Sequence, residues 1–286
     1  MVQGPAAPPE PNAGAPGEDP EARGFGNARR WRWEVPLFVI ALIGLPLLAV
    51  GGARLLAQSA ALRLPPEMDA ALGRPTWEAL RVSGQRCEDP AAQRYVEGIL
   101  RPLIEALGPT PWHFELMVSD ASDVNAFALP GGYVVVNFGL LASAQTGEEV
   151  AAVLAHELSH VTARHSTQRL AAGLGAAAAL GFVLGIVDLG APAYTLAHLA
   201  GLGYERGQER EADELGLALL ERAGVSPIGM ATFFERLSAD LAPPELLSTH
   251  PDPGGRAERA RAAAQRYEPR RVLPAPGGLA CSAGAK

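Results

Sequence analysis

The sequence predicts a mostly helical α+β domain that follows one membrane-spanning helix. Two observations support this class. Residues 35–53 form an apolar run without a single charge. Beyond that run, several segments repeat apolar residues at helical spacing, while parts of residues 112–137 alternate like short strands. We therefore expect helices packed on a small β-sheet.

Composition excludes two classes of protein. The 286 residues suffice for a sizeable core, and two cysteines are too few to build a disulfide-stapled miniprotein. Acidic residues outnumber basic ones, 31 to 24, the net charge is −7, and aromatic residues make up only 6%. No long basic stripe is present, so we expect no nucleic acid partner.

Residues 1–28 are mostly Pro, Gly and Ala and have no periodic apolar face. Such a segment buries too little apolar surface to offset its ordering entropy. We therefore predict that residues 1–28 are disordered.

Residues 29–56 are predicted to anchor the chain in a lipid bilayer. As a helix, the uncharged run 35–53 is roughly 28 Å long, which is enough to cross a membrane. Trp31 and Trp33 lie where interfacial aromatic residues belong. Basic residues are concentrated before the run, at Arg23, Arg29, Arg30 and Arg32. The positive-inside rule then predicts a single-pass protein of the bacterial inner membrane, with its following domain in the periplasm.

A cleaved signal peptide is the alternative, because Ala57-Gln58-Ser59 resembles a small-residue cleavage site. The apolar run is longer than a usual signal core of about 7–15 residues, which favours an uncleaved anchor.

The globular part is predicted to cover residues 64–267 and to end in a flexible tail, 268–286. The predicted helices are 66–82, 90–107, 147–169, 205–223, 227–240 and 255–267, and the predicted strands are 112–119, 125–129 and 133–137.

The segment His156-Glu157-Leu158-Ser159-His160 places two histidines four residues apart in a predicted helix. Residues at this spacing share one helix face, so both imidazoles can bind the same ion. Glu157 can take a proton from the attacking water and later give it to the leaving amine. The motif predicts a catalytic zinc site, which needs a third protein ligand and an open position.

Glu209 is the predicted third ligand, because its helix carries Asp213 one turn later. The Asp213 carboxylate can accept a hydrogen bond from a ligand histidine and fix its tautomer. Glu211 is the rival ligand, but it points about 200° around the helix from Glu209. We expect one zinc ion per chain, held by His156, His160 and Glu209.

Several motifs together resemble a known family of zinc metalloproteases, which includes HtpX, the CAAX prenyl proteases and BepA. The matching segments are residues 125–132, 139–141, 156–160, 209–213 and 248–251, followed by Arg256. They lie in the family's order across residues 64–267. One departure is Glu205, where the family usually has serine.

The resemblance implies a zincin-like endopeptidase of the gluzincin type, whose active-site helix packs on a small β-sheet. It implies zinc on His156, His160 and Glu209, with Glu157 as the general base. Without multiple spans or a repeat domain, the chain most resembles the family's single-domain periplasmic members.

A substrate site is predicted at Asn125, Ala126, Phe127, Gly131 and Gly132. If the strand here is an edge along the cleft, a substrate peptide could add to it through main-chain hydrogen bonds. The alternative is a packed hairpin whose turn requires glycine.

His250 is a further predicted catalytic residue, a role that rests largely on the resemblance. It could stabilise the oxyanion, or it could occupy the open zinc position in a closed, inhibited state. Tyr204 and Arg206 are weaker oxyanion candidates. His165 is interpreted as a solvent-side or packing residue, and His113 and His198 as structural.

Two features stay open. Residues 170–187 form a second uncharged run, which we interpret as a buried helix or a hairpin with shallow membrane contact. Cys87 and Cys281 could pair in an oxidising compartment, although spacing does not show it.

The sequence therefore predicts a membrane-anchored zinc endopeptidase acting on envelope or misfolded proteins. A zinc-stabilised chaperone or scaffold that binds unfolded segments without cutting is the alternative. Glu157 argues against it, because binding alone needs no general base there.

Overall fold

The computed structural model describes residues 28–174, 204–239, 245–252 and 255–281, together with Gly4. Its elements form a mostly helical α+β architecture with one small sheet, which confirms the predicted class. They are α1 Ala28–Ala61, α2 Pro66–Val82, α3 Pro90–Leu107, β1 Glu115–Ser119, β2 Ala126–Leu129, β3 Tyr133–Asn137, α4 Phe138–Ser143, α5 Gly147–Thr162, α6 His165–Leu174, α7 Arg206–Ala223, α8 Ile228–Ser238, α9 Glu245–Thr249 and α10 Arg256–Ala264.

Helix α1 includes the apolar run. The segment Trp33–Ala61 contains an 18-residue window whose mean hydropathy is 2.4, and within the described ranges it alone is long and apolar enough to cross a membrane. Large apolar side chains along it are exposed, among them Leu37, Phe38, Ile40 and Leu47. The chain divides into two compact units, Met1–Gly51 and Gly52–Lys286. The contacts described below lie within the second unit.

The sheet has the order β1-β3-β2, with β3 parallel to β1 and antiparallel to β2. Because side chains alternate along a strand, the buried strand β3 contributes side chains to two hydrophobic clusters, one on each face of the sheet. Val134 and Val136 belong to the main helical core, whereas Tyr133 and Val135 pack with Trp77 of α2 on the other face.

The turn between β2 and β3 requires glycine. Gly131 and Gly132 have φ values of 90° and 100°, a region that L residues rarely adopt. A Cβ atom at Gly131 would lie 2.4 Å from the Ala70 Cα, and one at Gly132 would lie 2.4 Å from the His113 carbonyl oxygen. These contacts show why a packed hairpin requires glycine at both positions. They give no support to a substrate role for this turn.

Helix α5 is the centre of the domain. All but two of its residues are buried, and the helix packs against α3, α7, α8 and strand β2. Thr146 caps its start, where its hydroxyl accepts a hydrogen bond from the Glu149 N–H at 3.2 Å. Polar residues in this helix therefore sit in the core of the molecule.

The prediction of one helix over residues 147–169 is wrong, because α5 ends at Thr162 and α6 begins at His165. Between them, Arg164 adopts a φ of 59°, which is uncommon for any residue except glycine. Its buried guanidinium donates to both Asp69 carboxylate oxygens, at 2.7 and 2.9 Å, and to the Leu64 carbonyl oxygen at 2.7 Å. These bonds hold the backbone of Arg164 in its strained conformation.

Residues 268–281, here called the C-terminal strap, have no helix or strand but pack on the domain. The Tyr95 hydroxyl donates to the Pro274 carbonyl oxygen at 2.8 Å, and the Leu273 N–H donates to the Glu148 carboxylate at 3.0 Å. Cys281 forms a disulfide with Cys87, their Cα atoms 5.3 Å apart. The prediction of a flexible tail is wrong for this segment, because its composition excluded regular structure but not tertiary contacts.

Residues 175–203 lie outside the described residues, and with them His198 and most of the second apolar run. At the start of that run, Leu170 and Ala171 are buried in α6.

Candidate metal centre

Helix α5 places His156, Glu157 and His160 together in the core. All three side chains are buried. The Nε2 atoms of His156 and His160 lie 3.0 Å apart, because one helical turn separates the two residues on one face. Both rings therefore point toward one shared position, as the motif predicts.

Helix α7 adds Glu209 to this position. Its carboxylate oxygens lie 3.4 Å from the Nε2 atom of His156 and 3.4 Å from that of His160. The two helices approach closely at Gly216, where a Cβ atom would lie only 3.3 Å from the His156 backbone nitrogen. Asp213, one turn beyond Glu209, lies 3.2 Å from His156 Nδ1, as expected for a carboxylate that fixes the tautomer of this ring.

His250 is the fourth residue in the cluster. It follows α9, and its backbone N–H donates to the Leu246 carbonyl oxygen at 2.8 Å. Its Nδ1 atom lies 3.2 Å from His156 Nε2 and 3.1 Å from Glu209 Oε1. Its other nitrogen, Nε2, lies 3.4 Å from Glu157 Oε1.

The donor set fits a zinc ion. The donor atoms of His156, His160, Glu209 and His250 all lie within 4.8 Å of one another. Zinc bonds of roughly 2.0–2.1 Å in a tetrahedron separate neighbouring donor atoms by about 3.3 Å. The separations between neighbouring donors given above run from 3.0 to 3.4 Å. Imidazole and carboxylate donors at this spacing match a tetrahedral zinc site.

Arg256 neutralises the acidic side of the cluster. This buried guanidinium donates to Glu209 Oε2 at 2.7 Å and to Asp213 Oδ1 at 2.8 Å. Burial alone would raise the pKa of Glu209, but His156 and the other imidazoles outweigh it and hold this pKa far below its ordinary range. Glu209 is therefore ionised, as a metal ligand must be.

Glu157 has a different environment from Glu209. Burial raises the pKa of Glu157 above its ordinary value, although His250 and His156 oppose the rise. A carboxylate whose pKa is raised toward neutrality is suited to accept and return a proton. The surroundings thus lower the pKa of Glu209 and raise the pKa of Glu157.

His165 is closer to the metal centre than the sequence predicts. It is buried, with its Nδ1 atom 2.9 Å from His160 Nδ1 and its Nε2 atom 3.3 Å from Glu211 Oε2. The solvent-side interpretation of His165 is therefore wrong. Three of the six histidines lie within residues 156–165, which is the one signal in the sequence that could have indicated this contact.

Three further residues named in the sequence analysis lie outside the cluster of metal donors. The Tyr204 ring stacks on His160 with centroids 3.8 Å apart, and its hydroxyl bonds Ser166 Oγ at 2.8 Å. Burial raises the pKa of Tyr204 to about 12, so the hydroxyl keeps its proton. Arg206 and His113 are exposed.

Strand β2 runs beside helix α5. Asn137 donates to the Asn125 carbonyl oxygen, so by alternation the backbone of Phe127 pairs with β3, while Ala126 and Ala128 point theirs away from it. Ser166 Oγ donates to the Ala128 carbonyl oxygen at 3.0 Å. Ala126 directs its backbone N–H and carbonyl toward the same outward edge of β2.

Comparisons with known proteins agree with this geometry. The model of peptidase family M48 matches residues 90–264. The beta-barrel assembly-enhancing protease of Yersinia pestis is 32% identical over 74% of this chain and 47% of that protein. The metalloprotease LoiP of Escherichia coli is 32% identical over 63% of this chain and 77% of that protein. The mitochondrial metalloendopeptidase OMA1 of Schizosaccharomyces pombe is 35% identical over 51% of this chain. The chain spans less than half of the length of the assembly-enhancing proteases that it matches.

Proposed function

The chain belongs to peptidase family M48, and from this membership we propose that it is a membrane-anchored zinc endopeptidase that cleaves envelope or misfolded proteins. The observation that carries the proposal is the placement of Glu157. Its buried carboxylate lies beside four convergent metal donors, where a general base of peptide hydrolysis is required.

The protein side chains divide the work of hydrolysis. When bound, the zinc ion supplies the Lewis acidity that polarises the scissile carbonyl. Glu157 takes the proton of the attacking water and returns it to the leaving amine. His156, His160 and Glu209 hold the ion. Asp213 and Arg256 keep the first ring and the carboxylate in their orientations.

We assign the substrate backbone to the edge of β2 that faces the active site, at Asn125, Ala126 and Phe127. Outward backbone groups on Ala126 can pair with an extended peptide, which would then pass the metal donors with little side-chain selectivity. Ala126 is buried in the described arrangement, so binding requires that covering groups move aside.

His250 belongs to a closed arrangement of the site. Its Nδ1 atom lies where a fourth donor would lie, and a catalytic zinc site needs this position open. We propose that His250 leaves this position when substrate binds. Its ring is then available to stabilise the oxyanion.

Four features support the membrane anchor and the periplasmic location. Residues 35–53 lack charge, four arginines precede them, and α1 exposes its apolar side chains. The disulfide between Cys87 and Cys281 is compatible with an oxidising compartment. Substrates near the outer face of the inner membrane follow from this placement. The names of the Yersinia pestis and Escherichia coli relatives point to β-barrel assembly for those proteins.

The test compares the full-length chain with Glu157→Gln and Glu209→Ala, measuring casein cleavage and bound zinc. We expect Glu157→Gln to keep zinc but to lose cleavage by about 10²–10⁴-fold, because only the general base is removed. Glu209→Ala should lose zinc, since a donor is gone and Arg256 loses one partner.

Glu214→Gln is the matched control, because Glu214 is an exposed carboxylate on the same helix as Glu209. Undiminished cleavage by Glu157→Gln would contradict the assigned base. A wild-type chain that holds zinc and binds casein without cutting it would instead favour the chaperone alternative.

A further inference from the structure

We infer that His165 and Glu211 form a hydrogen-bonded pair that orients the metal ligand His160. The inference rests on the proposed zinc site and adds two positioning residues to it. Both ligand histidines have one ring nitrogen that faces the metal position and one that faces away. The partner of His156 on the far side is the Asp213 carboxylate, whereas the far nitrogen of His160 faces His165.

The direction of the hydrogen bonds follows from metal binding. A ring that binds the ion through Nε2 must carry its proton on Nδ1, so His160 donates through that atom. The His165 Nδ1 atom, 2.9 Å away, must then be the acceptor. The proton of His165 is left on Nε2, which lies 3.3 Å from the Glu211 carboxylate and donates to it.

These hydrogen bonds matter because the two histidines that form them are buried. His160 is fully buried and His165 nearly so, and an unpaired N–H in such a place loses its hydrogen bond to water without replacement. The Glu211 side chain is 60% exposed, so the chain of bonds begins at the surface of α7 and ends at the metal position. Partners of this kind fix the ring orientation and the basicity of a ligand histidine.

Substitutions at position 165 separate positioning from packing. Asn keeps an acceptor oxygen near the place of Nδ1 but loses the contact with Glu211. Phe keeps the ring volume but has no acceptor. If His165 only fills space, His165→Phe should bind zinc better than His165→Asn. If it orients His160, the order is reversed.

The experiment measures zinc affinity of the full-length chain by competition with a chelating dye, and the visible spectrum of the cobalt-substituted chain. We expect His165→Phe to lose about 10–100-fold in zinc affinity and His165→Asn to lose less. The cobalt bands should shift in His165→Phe. Glu211→Gln should weaken zinc binding by a smaller factor, with Glu214→Gln unchanged as the exposed control on the same helix.

Two results would overturn the inference. One is unchanged zinc affinity in His165→Phe, and the other is an affinity in His165→Asn no better than that in His165→Phe. If His165→Phe does not fold, Glu211→Ala decides, because it removes the acceptor of the His165 Nε2–H from an exposed position without disturbing the core. Zinc affinity in Glu211→Ala equal to the wild-type value would then contradict the assignment.

Discussion

At the scale of single residues, His250 has contacts on both of its ring nitrogens. Nδ1 faces His156 and Glu209, while Nε2 faces Glu157, the proposed general base. One side chain thus lies against both the metal donors and the group proposed to activate water. Removal of the His250 side chain should therefore change both the spectrum of a bound metal and the rate of cleavage.

We predict that His250→Ala shifts the visible absorption of the cobalt-substituted chain, because one of four donors is lost. The exposed residue His113 supplies the control, since His113→Ala should leave the spectrum unchanged. An unchanged spectrum in His250→Ala would show that His250 does not bind the ion. Casein cleavage then separates the two roles. Faster cleavage indicates that His250 mainly blocks the site, and slower cleavage indicates that it also assists the reaction.

Sequence spacing could predict the site residues that lie on one continuous helix, because their relative positions are fixed by helix geometry. Two histidines one turn apart must share a helix face, and the structure does bring Glu209 and Asp213 to them. His165 could not be predicted in this way. On an unbroken helix it would point about 140° away from His160, and only the break at Arg164 turns it back toward that ring.

At the scale of elements, boundaries were predictable where the chain carries its own stop and start signals. Helix α3 spans the predicted residues 90–107, because Asp89 caps its start and Gly108 ends it with a φ of 75°. The end of α5 carries no such signal. It depends on an ion pair with Asp69, 95 positions away in the chain, which no local pattern reveals.

The C-terminal strap is the second element that composition did not predict. We expect Cys87→Ser and Cys281→Ser each to lower the free energy of unfolding by about 2–5 kcal/mol, because the open chain regains entropy. The double variant should lose no more than either single one, since all three remove the same bond. Denaturant unfolding of the full-length chain, with and without reductant, measures this. Equal stability of the wild type in both conditions would contradict the prediction.

At the scale of the whole molecule, orientation across the membrane is the main open expectation. We predict that alkaline phosphatase fused after Lys286 is active, because that reporter needs the oxidising periplasm to form its disulfides. A fusion after residue 28, before the apolar run, is the matched control and should be inactive. An inactive fusion after Lys286 would place the catalytic domain in the cytoplasm.

The disulfide between Cys87 and Cys281 encloses every residue assigned to the metal centre. A proteolytic cut anywhere between the two cysteines therefore leaves two fragments that remain covalently joined. Self-digestion at such a point would be invisible on a non-reducing gel and would appear as two bands only after reduction.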